Sequence, residues 1–382
     1  MRSVSLIWAP PFYFLYYAAA AALVPFLIVY YQDLGLTGTQ IGFLASIPPL
    51  VSLFSAPFWG ALADMTQQHK LSLLIAMSGA ILLAMALSAF TAFAWLIPVV
   101  IMFAFFSSPI MPLVDNTTMD LLEGEKELYG RIRLWGAIGW GIAAPVVGWL
   151  IEAGSIAWAF RSYAAIMALG LLNTLRIPVS GRIRSTFREG AQTLLTNQRW
   201  LGFLIVAFSG GMALSMISNF LFIFLRSLKA DDFLLGLTLT AATLSELPVL
   251  YFSERLLRHW NVRQLMKVAM LFFAIRALAY SLLNTPWLAL PIQLLHGPTF
   301  SLMWLSGVSF ADEIAPAGLG ATAQGLFSGV MLGIGSAAGA FLGGLLYDHI
   351  GIVNMFRVTA IGSLFALCLM LLMEKKNYKH PL

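Results

Sequence analysis

Charged residues are scarce in this chain of 382 residues. Asp, Glu, Lys and Arg make up 10% of the sequence, hydrophobic residues make up 60%, and the mean hydropathy is +0.85. Soluble domains contain about 25% charged residues. The composition therefore excludes a soluble globular protein and, despite a net charge of +5, a nucleic-acid-binding protein. It predicts a polytopic protein embedded in the lipid bilayer.

Several chemical signatures are also missing. The single cysteine, Cys368, lies in an apolar run, which excludes a disulfide framework. The five histidines are scattered and predict no metal site. No phosphate-binding Gly-Lys-Ser/Thr loop occurs, so ATP is not the expected energy source. With no visible nucleophile and base set, we predict that the protein is not an enzyme and has no cofactor.

Long apolar runs dominate what is present. A membrane-spanning helix needs about 20 apolar residues, and twelve such runs occur: 7–30, 39–62, 71–91, 95–119, 133–153, 158–178, 200–226, 234–256, 264–283, 286–310, 319–346 and 352–373. The first run is too long and too aromatic for a cleaved signal peptide. If both termini are cytoplasmic, 17 Lys and Arg residues fall on the inside and four on the outside, with Arg276 in mid-span. This bias predicts that orientation, because cytoplasmic loops are enriched in Lys and Arg.

A polar segment divides the chain into two similar parts. We predict an N-terminal bundle over 1–178, a cytoplasmic linker over 179–199 with a short surface helix at 184–195, and a C-terminal bundle over 200–382. The two parts align weakly when shifted by 192–196 residues. Repeated six-span halves are typical of alternating-access transporters with a solute site between the halves. The predicted fold class is an all-α membrane protein with twelve helices in two pseudo-symmetric six-helix bundles.

The loop after the second span carries a family motif. Gly60-Ala61-Leu62-Ala63-Asp64, followed by Lys70, resembles the G-x-L-A-D…[RK] motif of the major facilitator superfamily, although the usual basic residue after Asp64 is Met65. The resemblance implies the major facilitator fold, a monomer, and a cytoplasmic latch formed by Gly60, Asp64 and Lys70. An ordinary turn is the alternative.

Asp115, Glu246, Arg276 and His296 lie deep in the spans, where charges are costly, and Arg133 lies near the start of the fifth span. Asp115, Arg133 18 residues later and Trp140 seven residues beyond resemble the oligosaccharide–proton symporter branch, which contains lactose permease. Glu246, Arg276 and His296, the last two 20 residues apart, follow the order of the same branch. The resemblance implies a proton-coupled symporter of a bacterial inner membrane.

The sequence also departs from that branch. Thr299 replaces its proton-carrying glutamate, Gln293 replaces a lysine, and Asn219 is the nearest polar residue to a missing carboxylate in the seventh span. The segments QLLHGPTF and ATAQGLF resemble those of related bacterial permeases for aromatic acids and nucleosides. The expected solute is therefore a sugar or glycoside first, and a nucleoside or aromatic acid second.

Asp115 and Arg133 can pair with each other or share hydrogen bonds with a solute's vicinal hydroxyls or carboxylate. A static structural pair or a gate pair is the alternative. Trp140 shares a helical face with Arg133 and can stack on a solute ring, or it can simply pack. Further candidates for solute binding come from helices that line the cavity in this fold: Tyr13, Tyr17, Asn219, Gln293 and Trp304.

Glu246 is the first candidate for the coupled proton, because it is the only deep carboxylate of the second half. His296 titrates in a suitable range to assist it, and Arg276 is expected to tune Glu246 or to reach toward His296. The alternatives are a permanent ion pair of Glu246 with Arg276 and, for His296, a core histidine whose hydrogen bonds are merely satisfied. The competing function is proton-driven efflux by antiport, since 144–148 partly matches the fifth-span motif of efflux proteins, but the span-four arginine of those proteins is absent.

Overall fold

The computed structural model describes residues 7–122, 126–176, 194, 198–315 and 319–378, and its regular secondary structure within these ranges is helical throughout. The predicted linker and surface helix lie almost entirely outside the described residues. The described residues of the first half form seven helices: α1 (Ala9–Asp33), α2 (Gly38–Thr66), α3 (His69–Leu87), α4 (Phe93–Ser107), α5 (Ile110–Leu121), α6 (Lys126–Ala153) and α7 (Ala157–Thr174).

In the second half, the part of the chain that the structure describes forms nine further α-helices: α8 (Gln198–Ser227), α9 (Asp232–Tyr251), α10 (Ser253–His259), α11 (Val262–Ser281), α12 (Ala289–Gln293), α13 (Leu302–Ile314), α14 (Gly320–Ser328), α15 (Ser336–Ile350) and α16 (Ile352–Tyr378). A 3₁₀ turn at Pro286–Leu288 precedes α12, and π-helical turns at Gly297–Ser301 and Gly329–Gly335 join α12 to α13 and α14 to α15.

Each of the twelve predicted spans corresponds to helical structure. Helices α4 and α5 form one span that is interrupted near Pro109, whose ring nitrogen cannot donate a hydrogen bond. Among the described residues, nine helical segments are long and apolar enough to cross a membrane. The three remaining predicted spans correspond to α7, α11 and the interrupted segment 286–314.

The described residues form two compact units that do not coincide with the predicted halves. One unit contains Met1–Leu36, Ile47–Arg184 and Leu225–Thr240, and the other contains Thr37–Ser46, Ser185–Phe224 and Ala241–Leu382. In the first unit α1 packs against α6 and α7, and in the second unit α11 packs against α13 and α16. The bundle boundaries at 178 and 200 stay a prediction.

Each unit contains a segment from the other predicted half, 225–240 in the first unit and 37–46 in the second, and close backbone contacts occur at both segments. In the first unit, a Cβ atom at Gly148 would meet the backbone oxygen of Asp232, so α6 and α9 touch along their backbones. In the second unit, a Cβ atom at Gly344 would meet the backbone oxygen of Gly38, so α15 and α2 touch in the same way. Gly38 and Asp232 lie 194 residues apart in the chain, and Gly148 and Gly344 lie 196 apart. The two contacts are therefore related by the internal repeat seen in the sequence.

Candidate functional site

The first unit holds a polar cluster centred on Asp115 of α5 and Arg133 of α6. The guanidinium of Arg133 donates from Nη1 to Oδ2 of Asp115 over 3.3 Å. The hydroxyl of Tyr13 on α1 donates to the other carboxylate oxygen of Asp115. Both oxygens of the carboxylate are therefore satisfied by side chains from two different helices. The predicted contact of Asp115 with Arg133 is present, and whether the pair binds solute, gates or is structural stays a prediction.

Tyrosine hydroxyls surround the guanidinium of Arg133. Nη1 also donates to the hydroxyl of Tyr129 over 2.8 Å, and Nη2 donates to the hydroxyl of Tyr17 over 3.3 Å. Gly136 lies one helical turn after Arg133, and a Cβ atom there would collide with the ring of Tyr17. Glycine at this position therefore allows the Tyr17 ring to approach α6.

Accessibility distinguishes this cluster from a core ion pair. The side chain of Arg133 is 49% exposed and that of Asp115 is 28% exposed, while Tyr13 is fully buried. A carboxylate and a guanidinium balance each other in charge, and the surrounding hydroxyls can both donate and accept hydrogen bonds. We call Tyr13, Tyr17, Asp115, Tyr129 and Arg133 the hydroxyl-rich cluster.

Trp140 lies apart from the hydrogen bonds of this cluster. Its ring is half-buried against a group of small residues, Ala18, Ala21, Ala143 and Ala144. Phe14, Ile166 and Leu239 pack against the same group. The predicted stacking of Trp140 on a solute stays a prediction.

The second unit holds a chain of polar contacts around Arg276 of α11, which is only 1% exposed. Its guanidinium contacts Nδ1 of His296 over 2.9 Å and donates to the hydroxyl of Thr299 over 3.2 Å. It also donates to the amide oxygen of Gln293. At the far side of the imidazole ring, Nε2 of His296 lies 3.2 Å from Oε1 of Glu246. We call these five residues the buried relay.

The buried relay fixes the protonation pattern of its histidine. A guanidinium has only donors, so Nδ1 of His296 must accept the hydrogen bond from Arg276. The single ring proton of the neutral imidazole then lies on Nε2, where it is donated to the carboxylate of Glu246. A second proton on the imidazole would lie on Nδ1, where it would face the guanidinium of Arg276. Among the described residues, the carboxylate of Glu246 has no such neighbour on its side of the ring and can accept a proton.

A close backbone contact brings Glu246 to His296. The backbone N–H of Gly297 donates to the hydroxyl of Ser245 over 2.8 Å, and a Cβ atom at Gly297 would collide with the carbonyl oxygen of Ser245. Gly297 begins the π-helical turn Gly297–Ser301, and such turns are frequent at functional sites. Glu246 follows Ser245 and His296 precedes Gly297, so the contact of Ser245 with Gly297 holds Glu246 and His296 side by side.

The remaining predicted solute contacts are engaged within the second unit. Asn219 donates to the backbone oxygen and to the hydroxyl of Ser215, each over 2.9 Å. Gln293 is 2% exposed and accepts from Arg276. The Trp304 ring lies 5.6 Å from the ring of Phe327. A direct role of these side chains in solute binding stays a prediction.

The predicted latch residues make contacts within the first half. A ring nitrogen of His69 lies 3.1 Å from the carboxylate of Asp64, and the ammonium of Lys70 donates to the backbone oxygen of Leu175 over 2.5 Å. Gly60 is buried in α2, one turn before Asp64. A latch between the two halves by Gly60, Asp64 and Lys70 stays a prediction.

Two polar contacts at helix ends were not predicted from the sequence. The carboxylate of Asp348, near the end of α15, accepts from the backbone N–H groups of Gly38 and Thr39 at the start of α2, each over 2.7 Å. Arg226 near the end of α8 joins Asp33 over 2.7 Å and Asp232 over 2.9 Å. In the sequence, the internal repeat aligns Asp348 with Glu152, and no pattern indicated a contact for Arg226.

Known proteins resemble this chain along nearly its full length. The maltose permease of Geobacillus stearothermophilus is 26% identical over 371 residues, covering 96% of this chain and 94% of the permease. The probable 3-phenylpropionic acid transporter of Escherichia coli strain K12 is 26% identical over 382 residues, covering 95% of this chain and 96% of that protein. The crystal structure of the nucleoside transporter NupG superposes with a TM-score of 0.87 at 20% identity, covering 97% of this chain and 99% of the NupG chain.

The solved structure of NupG shows the same fold, and the predicted fold class is confirmed. The prediction that the protein is a transporter and not an enzyme is confirmed as well. The model of the MFS_1 like family matches residues 6–358. The chain is therefore a multi-pass membrane transporter and belongs to the MFS_1 like family of the major facilitator superfamily.

Proposed function

We propose that this transporter is a symporter that couples the movement of a small polar organic solute to the movement of a proton. A sugar or glycoside is the first candidate, and a nucleoside or an aromatic acid is the second. We place the protein in a bacterial inner membrane with both termini in the cytoplasm, as the Lys and Arg distribution favours. It acts as a monomer by alternating access.

The observation that carries the proposal is the contact between Glu246 and His296. The carboxylate of Glu246 is 25% exposed, so a proton can reach it, while Arg276 behind it is 1% exposed. Because Nδ1 of His296 faces a permanent cation, the proton that enters this group binds the Glu246 carboxylate. Protonation removes the negative charge and weakens the hydrogen bond that Glu246 accepts from His296. This change distinguishes the loaded from the unloaded carrier.

The hydroxyl-rich cluster supplies the solute site of the proposal. Arg133 and Asp115 are accessible enough to exchange their mutual contact for contacts with solute hydroxyls, and their charges cancel, which suits a neutral solute. Tyr13 and Tyr17 hold the pair in place from α1. The names of the similar proteins span maltose, 3-phenylpropionic acid and nucleosides, so they support an organic solute and leave its class open.

The test is accumulation of labelled solute in vesicles that contain the purified protein and carry an inward proton gradient. A panel of sugars, nucleosides and aromatic acids is offered to the wild type and to Glu246→Gln. We expect accumulation of one class by the wild type and none by Glu246→Gln, because an amide cannot take up the proton. Glu152→Gln is the matched control, since Glu152 is an exposed carboxylate at the end of α6.

Accumulation that survives in Glu246→Gln would overturn the assignment of the proton to Glu246. Failure of the wild type to accumulate any member of the panel, together with proton-driven outward movement of dyes, would replace symport by efflux through antiport. Either result is read against Glu152→Gln, which we expect to behave as the wild type does.

A further inference from the structure

The short helix α10 (Ser253–His259) separates unlike side chains onto its two sides. It has seven residues and lies on the surface of the second unit between α9 and α11. On a helix with 3.6 residues per turn, its charged residues and its histidine share one arc of about 140°, namely Glu254, Arg255, Arg258 and His259. Leu256 and Leu257 lie on the opposite side. Helix α10 is therefore amphipathic along its two turns.

The apolar side of α10 is accessible. None of the seven residues of this helix, all of which the structure describes, is buried. Leu257 is 36% exposed, and two aromatic residues at the ends of the helix, Phe252 and Trp260, are 44% and 47% exposed. An amphipathic helix with accessible apolar side chains lies in the membrane interface, where tryptophan is also enriched. We therefore place α10 between the hydrocarbon core and the lipid head groups.

Two arginines on the polar side of α10 are accessible to a ligand. Nη2 of Arg258 donates to Glu254 over 2.5 Å, but the two side chains are 72% and 78% exposed, so water screens this ion pair. The guanidinium of Arg255 lies 5.7 Å from the centre of the Phe252 ring, and this side chain is exposed as well. A guanidinium carries five N–H donors. Each arginine can therefore bind a further acceptor without leaving its present neighbour.

The chain around α10 carries an excess of positive charge that its counterpart in the first half lacks. Residues 248–275 contain one glutamate and four basic residues, a net charge of +3: Arg255, Arg258, Arg263 and Lys267. The equivalent residues 56–83 contain one aspartate and one lysine. In that loop Asp64 contacts His69, and Lys70 donates to the backbone oxygen of Leu175. The internal repeat therefore does not account for the exposed arginines of α10, which suit an anionic ligand.

We propose that α10 binds an anionic phospholipid, with Arg255 and Arg258 on its phosphodiester group and with Leu257 and Trp260 against its acyl chains. Guanidinium groups bind phosphate oxygens through paired hydrogen bonds. A lipid offers phosphate and hydrocarbon in one molecule, which matches both accessible sides of α10, whereas a free phosphate ester leaves the apolar side unused. A zwitterionic lipid brings a further cation to a segment that is already basic. The inference depends neither on the solute nor on proton coupling.

The test is binding of short-chain phospholipids to the purified full-length protein in detergent, measured by native mass spectrometry. The probes are dioctanoyl phosphatidylglycerol, dioctanoyl phosphatidylcholine and the soluble head group glycerophosphoglycerol. We expect phosphatidylglycerol to bind more tightly than phosphatidylcholine, and the head group alone to bind weakly. Arg255→Gln combined with Arg258→Gln should weaken the binding of phosphatidylglycerol by roughly tenfold to thirtyfold, because one arginine near anionic lipid contributes about a fivefold gain in affinity.

Two further variants separate the role of charge from that of apolar contact. Arg255→Lys combined with Arg258→Lys keeps both charges and should retain most of the affinity for phosphatidylglycerol. Trp260→Gln removes apolar surface and should weaken the binding of both lipids by a similar factor. Both arginines are exposed, so neither double variant should change the midpoint of thermal unfolding.

The matched control removes two exposed arginines that lie away from α10, Arg161→Gln combined with Arg357→Gln. Arg161 lies 5.6 Å from the centre of the Trp158 ring, much as Arg255 lies over Phe252. Equal affinity of the wild type for the two lipids, unchanged binding of phosphatidylglycerol in the double glutamine variant of α10, or an equal loss in the control would overturn the inference. So would glycerophosphoglycerol that binds as tightly as the lipid, since that result identifies a soluble phosphate ester as the ligand.

Discussion

The hydroxyl-rich cluster and the buried relay have similar charged groups but differ in solvent exposure. Each has one carboxylate and one arginine. In the first, Arg133 is 49% exposed and its bonds to Asp115 and Tyr17 are long, at 3.3 Å. In the second, Arg276 is 1% exposed and is held by three side chains, while its carboxylate partner is reached only through His296.

This difference indicates how the two arginines are used. An accessible guanidinium can exchange the partners of its two long hydrogen bonds, Asp115 and Tyr17, for a solute at little cost. A buried guanidinium bonded to three acceptors cannot, so its effect must be transmitted through the imidazole that it orients. We therefore propose solute contact for Arg133 and positioning for Arg276, and the following changes test that contrast.

The largest effect on stability is expected for Arg276→Met. The change leaves acceptors on His296, Gln293 and Thr299 buried without their donor, and each such group costs about 1–3 kcal/mol. Thermal unfolding in detergent should show a strongly lowered midpoint and poor recovery of folded protein. A midpoint equal to that of the wild type would mean that the guanidinium is not what holds this part of the second unit.

Arg133→Gln should show the reverse pattern. Exposed ion pairs contribute about 0–1 kcal/mol, so the unfolding midpoint should change little, while solute transport should be lost. Arg133→Lys keeps the charge but not the planar fork and should recover only part of the activity. Full transport after the exchange Asp115→Arg with Arg133→Asp would identify a structural pair and contradict solute contact.

Gly136→Ala should weaken solute binding moderately. The added methyl group collides with the ring of Tyr17 and moves its hydroxyl from Arg133, so we expect about a two- to tenfold loss of affinity, as for one hydrogen bond. The matched control is Gly141→Ala on the same helix, where the nearest atom to a new Cβ lies 3.9 Å away. Equal losses in both variants would point to α6 as a whole and away from Tyr17.

The smallest effect is expected for Asp348→Asn. The carboxylate accepts two backbone N–H groups at the start of α2, and a negative charge at a helix N-terminus contributes about 0.3–1 kcal/mol. The unfolding midpoint should fall slightly, more than in Glu152→Gln, whose carboxylate is exposed on α6. A fall as large as that of Arg276→Met would show that helix-end contacts carry more of the stability than the buried relay does.

Much of the fold could be predicted from the sequence, because apolar runs of span length are a strong signal. The contact of Asp115 with Arg133 could be predicted equally well, since two charges near the membrane interior on adjacent spans need a partner. The link of Arg276 to His296 was one of two options that the sequence left open, and the structure records that contact.

Other parts of the sites depend on contacts that no local pattern encodes. The π-helical turn after His296 arises where Gly297 meets the backbone of Ser245, 52 residues earlier. Tyr129 gave no separate signal among eleven tyrosines. Asp348 meets Gly38 across 310 residues of sequence, so its role depends on the packing of α2 against α15.

The most direct test of the separate roles is to compare solute exchange with proton-driven accumulation in vesicles containing Glu246→Gln or Arg133→Gln. Exchange of labelled for unlabelled solute without a gradient needs solute binding but no net proton movement. We predict that Glu246→Gln retains exchange and loses accumulation, while Arg133→Gln loses both. Loss of exchange in Glu246→Gln, or exchange retained in Arg133→Gln, would contradict the assignment of proton and solute to different clusters.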